Sequence, residues 1–249
     1  MVALSGGVDS SLVAALAFSA LEGEAVAVTL AGPAVSRAEV ERAERAASAI
    51  GVEHVILPVD PLSRADYREN RPDRCYFCRS VETFVLREFG RARSVDQYLD
   101  GVHADDLSDE RPGIQAMDEA GFRHPLLAAG WGKVEVRAEA RRRGLPNWDQ
   151  PSDACLASRV AHGEPVSAEL LARVESAERV LLDRRFRRVR VRVRAGAARI
   201  EVDPAEVARL MEEPLASEVL REVARLGFPS VTIDPRGYRS ALAGLPTVP

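Results

Sequence analysis

Hydrophobic and polar positions along the chain follow two rhythms. Residues 2–4 are a short apolar run of the length of a buried strand, 5–10 are glycine, serine and aspartate of a tight loop, and 11–21 form an apolar helix. Residues 24–30 read as a second buried strand. Apolar residues at helical spacing follow over 36–50, with Ser36 as N-cap, Glu39 three residues on and Gly51 as a stop. Residues 52–59 give a third strand. Strand and helix alternating at these lengths predict a parallel sheet covered on both faces, with ligands at the carboxyl ends of its strands.

The rhythm then breaks. Polar residues 70–74 lead into Cys75-Tyr76-Phe77-Cys78, and 80–89 resume a helix. Residues 98–102 read as a further strand, followed by His103, Ala104, Asp105 and Asp106. Residues 133–143 predict a helix with basic residues in its last turn and Gly144 behind it, mostly a solvated face. After residue 163 the character changes: a long amphipathic helix over 167–182, then strict Arg/Val alternation over 187–194. That alternation places Val189, Val191 and Val193 on one strand face and Arg190, Arg192 and Arg194 on the other. A strand over 199–202, helices over 204–211 and 215–226 and a last strand over 230–234 complete the pattern. The predicted fold class is α/β, a Rossmann-like domain over 1–160 and a smaller α+β domain over 161–249.

Composition narrows the function classes. A chain of 249 residues is long enough for a proper core, and it contains no apolar run of membrane-spanning length. It enters its first strand at once, without a secretory leader, which argues for the cytoplasm; so short a lead also raises the expectation that the natural start lies upstream. The net charge of −4 argues against broad nucleic-acid binding. Lys133 is the only lysine, and three cysteines are an odd number that does not suggest a disulfide framework.

The first loop carries the clearest chemistry. Gly6 and Gly7 let backbone N–H groups converge on one anion at a helix N-terminus, Ser5, Ser10 and Ser11 add hydroxyl donors, and Asp9 can hold the magnesium of a polyphosphate. Thr29, ending the second strand, is an adenine neighbour by topology. The CxxC pair is open to several readings: a thioredoxin-like pair, half a zinc site, or two ordinary cysteines; a structural zinc on all three cysteines would want a fourth ligand, for which His103 is the nearby candidate. A helix N-terminus at Cys78 would lower its thiol pKa. Asp105 and Asp106 suit either magnesium or a solvated acidic turn. Cys155 is followed by Ser158 and Arg159, which would share its face on a helical turn. Three guanidiniums on one strand face call for anions, making Arg190 and Arg192 candidates for a phosphate.

Ser5-Gly6-Gly7-Val8-Asp9-Ser10 is neither a Walker A loop nor Gly-x-Gly-x-x-Gly; it resembles the Ser-Gly-Gly-x-Asp-Ser loop of the PP-loop ATP pyrophosphatases. With Cys75-Tyr76-Phe77-Cys78, Gly101-Val102-His103-Ala104-Asp105-Asp106, Arg111-Pro112-Gly113, Trp148-Asp149-Gln150-Pro151-Ser152, Ala154-Cys155-Leu156-Ala157-Ser158-Arg159, Arg190-Val191-Arg192 and Gly237-Tyr238-Arg239-Ser240, the chain is similar almost end to end to the LarE family of ATP-dependent sulfur transferases. That resemblance implies ATP and Mg²⁺ at Ser5, Gly6, Gly7, Asp9, Ser10, Ser11, Thr29 and Gly101. It implies a mononucleotide substrate at Ser158, Arg159, Arg190 and Arg192, and a homo-oligomer. The substrate carboxylate, of a pyridinium dicarboxylate mononucleotide, is adenylated and a sulfur donor then displaces AMP. In single-cysteine members the cysteine matching Cys155 gives up its own sulfur; in three-cysteine members three thiolates hold a [4Fe–4S] cluster. Cys75, Cys78 and Cys155 match the second type. Departures are Val102-His103 for the usual Thr-Asn, Arg79 for Lys, Arg194 for His and Ala241 for Gly. Rival readings are a tRNA-thiolating PP-loop enzyme, an ammonia-using ligase and a nucleotide- or zinc-binding module.

Overall fold

The computed structural model describes residues 1–108, 112–151 and 153–239. Arg111, Ser152, Ser240 and Ala241, which belong to the matched stretches, lie outside the described residues. The chain divides into two compact units, Met1–Cys155 and Leu156–Pro249.

The first unit is built on a parallel sheet. β1 (Val2–Ala3), β2 (Val26–Ala31) and β3 (Glu53–Pro58) pair in the order β1-β2-β3. The helices α1 (Val8–Ala20) and α2 (Arg37–Ile50) make the crossovers. α2 begins as its sequence dictates: Ser36 and Glu39 form a reciprocal capping box, and Gly51 ends it in the left-handed conformation. Successive residues of β2 face opposite sides of the sheet. Ala27 joins Val2, Leu4, Leu12, Val13 and Ala43 in one core cluster, whereas Val26 and Val28 join Leu86, Tyr98 and Met117 in another. The sheet is therefore covered on both faces, the second by α4 (Arg74–Ala92) and α5 (Pro112–Glu119), with the short α3 (Ala65–Arg68) ahead of them.

The strand predicted over 98–102 is reduced to a bridge. Leu99 pairs with Val2 on one side and Arg123 on the other, both parallel. The ladder stops there because the Asp100 side chain turns back to accept the Val102 N–H at 3.0 Å. The strand order, which runs outward from β1 to β3 on one side, starts again on the other side at Leu99, so a topological switch point of the kind at which open α/β sheets bind ligands lies between β1 and Leu99. α6 (Pro125–Ala128) and α7 (Lys133–Arg142) complete this unit, and α7 lies against α1.

In the second unit, α8 (Ala168–Leu182) starts at a Ser167 cap and packs on β4 (Arg190–Arg194). β4 pairs antiparallel with β5 (Ala197–Glu201), which pairs parallel with β6 (Val231–Ile233). α9 (Val207–Leu210) and α10 (Leu215–Arg225) fill the connection. Val189, Val191 and Val193 are buried as their alternation predicts.

Candidate active site

The serine- and glycine-rich loop occupies the switch point. α1 begins at Val8 rather than at residue 11, because Gly7 is already extended and its carbonyl accepts the Ser11 N–H. Asp9, Ser10 and Ser11 therefore sit in the first turn of the helix. Among the described residues no side chain caps this helix, whose first-turn N–H groups stand at the positive end of its dipole. The serines shape the loop. Ser10 Oγ accepts the Ser5 N–H at 3.1 Å and donates to the Gly7 carbonyl at 3.2 Å, and Ser11 Oγ donates to the same carbonyl at 2.8 Å. Asn147 Nδ2 donates to both the Gly6 carbonyl and Ser11 Oγ at 2.9 Å.

Two glycines allow this closeness. Gly6 has φ +78°, and a Cβ there would lie 2.6 Å from the Glu39 carbonyl oxygen on α2. At Gly101 a Cβ would lie 2.6 Å from the Ser10 nitrogen, so the turn after Leu99 rests on the backbone of the first turn of α1. Gly101→Ala should push that turn off Ser10 and cost about 1–3 kcal/mol in chemical denaturation, with a parallel loss of ATP affinity; unchanged affinity would dissociate this turn from the nucleotide loop.

Asp9 has a partner that the sequence pattern assigned to solvent. Lys133 Nζ lies 2.7 Å from both Asp9 carboxylate oxygens. Lys133 opens α7 behind Gly132, its N–H is held by Asp105 Oδ2 at 2.7 Å, and this fold carries it back to α1. His103, buried beside them, has Nε2 3.8 Å from Asp9 and 3.6 Å from Asp106. An ammonium and a carboxylate at an uncapped helix N-terminus suit a metal-bound polyphosphate: the lysine can move to a phosphate oxygen while the aspartate takes the cation. Thr29 Oγ1 donates to the Leu4 carbonyl at 2.7 Å and therefore accepts from His54 Nε2 at 2.8 Å. Thr29, within β2, is thereby joined to Leu4 just after β1 and to His54 near the start of β3.

Cys75 and Cys78 lie in the first turns of α4, which starts at Arg74, six residues ahead of the predicted helix. Cys75 is exposed and Cys78 half-buried. The expected lowering of the Cys78 pKa is not found. Burial and then the neighbouring Glu82 push the thiol well up, and its Sγ donates to Glu82 Oε1 at 3.2 Å. Cys155 lies close enough to act electrostatically on both Cys78 and the buried Tyr67. Its segment is anchored to the elements that hold the nucleotide loop, by Asn147 and by Asp153, which pairs with Arg42 of α2 at 3.0 Å. In number and chemistry three thiols suit a cubane cluster. Among the described residues, however, no three histidine, cysteine or acidic side chains are gathered into a metal cage.

In the second unit, Leu156–Arg159 is a single 3₁₀ turn that begins one residue after Cys155, so the expected helical face joining Cys155, Ser158 and Arg159 is not formed. Arg159 is almost fully buried and pairs with Glu178 of α8 through Nε at 2.8 Å and Nη2 at 3.1 Å. Arg190 is buried too, its guanidinium over the Tyr238 ring. Arg192 is half-exposed, 3.2 Å from Glu201 and 3.0 Å from the Ser158 carbonyl. Glu201 thus answers the charge of Arg192, whose guanidinium is the more accessible of the two.

The NAD synthase family matches residues 1–98, the part that carries the sheet and the glycine loop. An uncharacterized protein of Synechocystis sp. is 39% identical over 240 residues, 96% of this chain and 90% of that protein. The pyridinium-3,5-bisthiocarboxylic acid mononucleotide synthase of Lactiplantibacillus plantarum is 32% identical over 240 residues, 96% of this chain and 86% of the synthase. An uncharacterized protein of Methanocaldococcus jannaschii is 25% identical over the same share of this chain. With identity at that level running through both units, and the PP-loop seated at the switch point of the sheet, the chain belongs to the LarE family of PP-loop ATP-dependent sulfur transferases.

Proposed function

We propose that this enzyme adenylates a carboxylate of a pyridinium-3,5-dicarboxylate mononucleotide and replaces the AMP with sulfur at a site formed around Cys155. The observation that carries the proposal is that Cys155, near Cys78, follows a segment whose Asn147 side chain donates to the Gly6 carbonyl and to Ser11 of the nucleotide loop.

The chemistry follows from what each group can do. A carboxylate is a poor electrophile, since its leaving group would be oxide. Its oxygen attacks the α-phosphorus of ATP, the bond to the β-phosphate oxygen breaks, and the pair of electrons leaves with pyrophosphate. The N–H groups of the first turn of α1, with Lys133, stabilise that departing charge; Asp9, once released from Lys133, would hold the Mg²⁺ that accompanies the polyphosphate. A thiolate or sulfide sulfur then attacks the acyl carbon and AMP leaves. Cys75, Cys78 and Cys155 would hold a [4Fe–4S] cluster, which when bound supplies an iron without a protein ligand, where a sulfide can be carried. Glu82 accepts the Cys78 proton in the thiol form. Ser158, Arg159, Arg190 and Arg192 would bind the mononucleotide, its phosphate on Arg192 as the more accessible guanidinium. A thiolated tRNA product has less support, because the chain is net acidic.

The reading is tested by AMP release. ATP should be converted to AMP and pyrophosphate only when the dicarboxylate mononucleotide is present; release driven equally by tRNA would favour the rival substrate. Arg192→Ala should raise the apparent KM for the mononucleotide by about 10- to 100-fold while leaving ATP affinity within about twofold. An unchanged KM would move the phosphate site elsewhere.

A further inference from the structure

One charged trio of the first unit is used by neither the nucleotide nor the sulfur chemistry above. His124 stands at the N-cap position of α6, and its ring is gripped at both nitrogens: Nδ1 lies 2.7 Å from Asp100 Oδ1 and Nε2 lies 2.8 Å from Asp118 Oδ1. Asp100 is buried, and the same Oδ1 accepts the Val102 N–H, closing the turn that contains Gly101. Gly101 in turn presses on the Ser10 nitrogen and the Asp9 carbonyl carbon, where a Cβ would lie at 2.6 and 2.9 Å. An unbroken chain of contacts therefore leads from α5, through the imidazole and Asp100, to the first turn of the nucleotide-loop helix.

We propose that His124 is a positioning residue for adenylation: by bridging Asp100 and Asp118 it holds the Gly101 turn against Asp9 and Ser10, and so fixes the N–H groups that receive the pyrophosphate. The inference rests on the ATP reading above. The backbone supports the same placement from the other side, since Ala3 N donates to Leu99 O and Asp100 N to Arg123 O. These bonds fix the strand ends, whereas the direction taken by the chain after Leu99 depends on the Asp100 carboxylate. Only a doubly protonated ring donates to both carboxylates. A neutral ring keeps one N–H and turns a lone pair toward the other carboxylate, so one half of the bridge is lost.

Among the described residues, the charged groups acting on His124 are Asp100, from the turn after Leu99, and Asp118, from α5; Arg79 of α4 acts on Asp100. The hydrogen bond to Asp100 is the largest influence and, against the effect of burial, raises the imidazole to about 9. A folded-state pKa raised above the unfolded value means that the bridge contributes fully below about pH 6.5, the unfolded value. Its contribution is lost as pH rises through about 9.

The test measures Mg-ATP affinity by calorimetry on the full chain over roughly pH 7 to 10, with the His124 ring titration followed by NMR. Wild type and the variants His124→Gln and Asp118→Asn are compared. In wild type, both ring nitrogens should be protonated at neutral pH, and ATP affinity should fall about tenfold as the ring titrates. Asp118→Asn, at a largely exposed position, should lower the ring pKa and shift the midpoint of the affinity loss by the same amount. Lys133 is common to all the proteins, so only this joint movement identifies the bridge. His124→Gln should bind ATP about tenfold more weakly at neutral pH and lose that pH dependence. ATP affinity in His124→Gln equal to wild type would overturn the proposal, as would an affinity midpoint in Asp118→Asn that stays put while the ring pKa moves; the second holds even where His124→Gln does not fold. Wild type that binds no ATP at any pH would overturn the ATP reading and the positioning role together, a result distinguishable because the ring titration would still report the bridge.

Discussion

Cys155→Ala should abolish sulfur transfer, with product falling by more than about 10³-fold to the level of free sulfide in solution, while pyrophosphate release continues. The split follows from the placement of the residue. Cys155 contributes to the sulfur side through its proximity to Cys78, whereas the loop that cleaves ATP is held by Asn147, Ser10 and Ser11. Removing a half-buried thiol for a smaller apolar group leaves little strain behind, so the variant should fold. Pyrophosphate and product measured in one reaction check the prediction: loss of both together would place Cys155 in adenylation, and retention of both would remove it from the mechanism.

Asp9→Ala should fail one step earlier. The carboxylate stands at the second position of α1 with Lys133 on both its oxygens, so its loss removes the cation ligand and leaves a half-buried ammonium without its partner. AMP formation should fall by about 10²- to 10³-fold, the scale on which one group aimed at developing charge acts. Asp9→Asn should be nearly as slow while folding as wild type, which separates charge from packing. Normal AMP formation in both variants would take Mg²⁺ away from Asp9.

How much of this could be read in advance differs from element to element. The α2 capping box, the Gly51 stop and the Arg/Val alternation are local signals, and each appears where its spacing put it. The glycine loop was legible because close approach to an anion restricts residue type over six consecutive positions. Lys133 was not. On its own helix it looks like one more basic residue facing water, and only the packing of α7 on α1 brings it to Asp9. Its one available signal was being the only lysine in an arginine-rich chain, directly behind a glycine at a helix start. The strand expected over 98–102 shrank to a bridge for a reason that hydrophobic pattern does not carry, the return of the Asp100 side chain onto Val102. The Cys78 thiol moves opposite to the helix-dipole expectation because burial and Glu82 outweigh the helix N-terminus, and Glu82 lies one turn on in a stretch otherwise read only as helix. Likewise, Arg159 stands close to Cys155 in sequence, yet its guanidinium is taken up by Glu178 from a helix that begins nine residues later.

The central claim is that ATP is spent to exchange a carboxylate oxygen for sulfur. The most direct measurement is the mass of the dicarboxylate mononucleotide after anaerobic incubation with this protein, ATP and Mg²⁺, read alongside AMP. The account predicts a product in which oxygen has been replaced by sulfur, with one AMP formed for each replacement. AMP formed with the mononucleotide mass unchanged, or sulfur incorporated without any AMP, would contradict it.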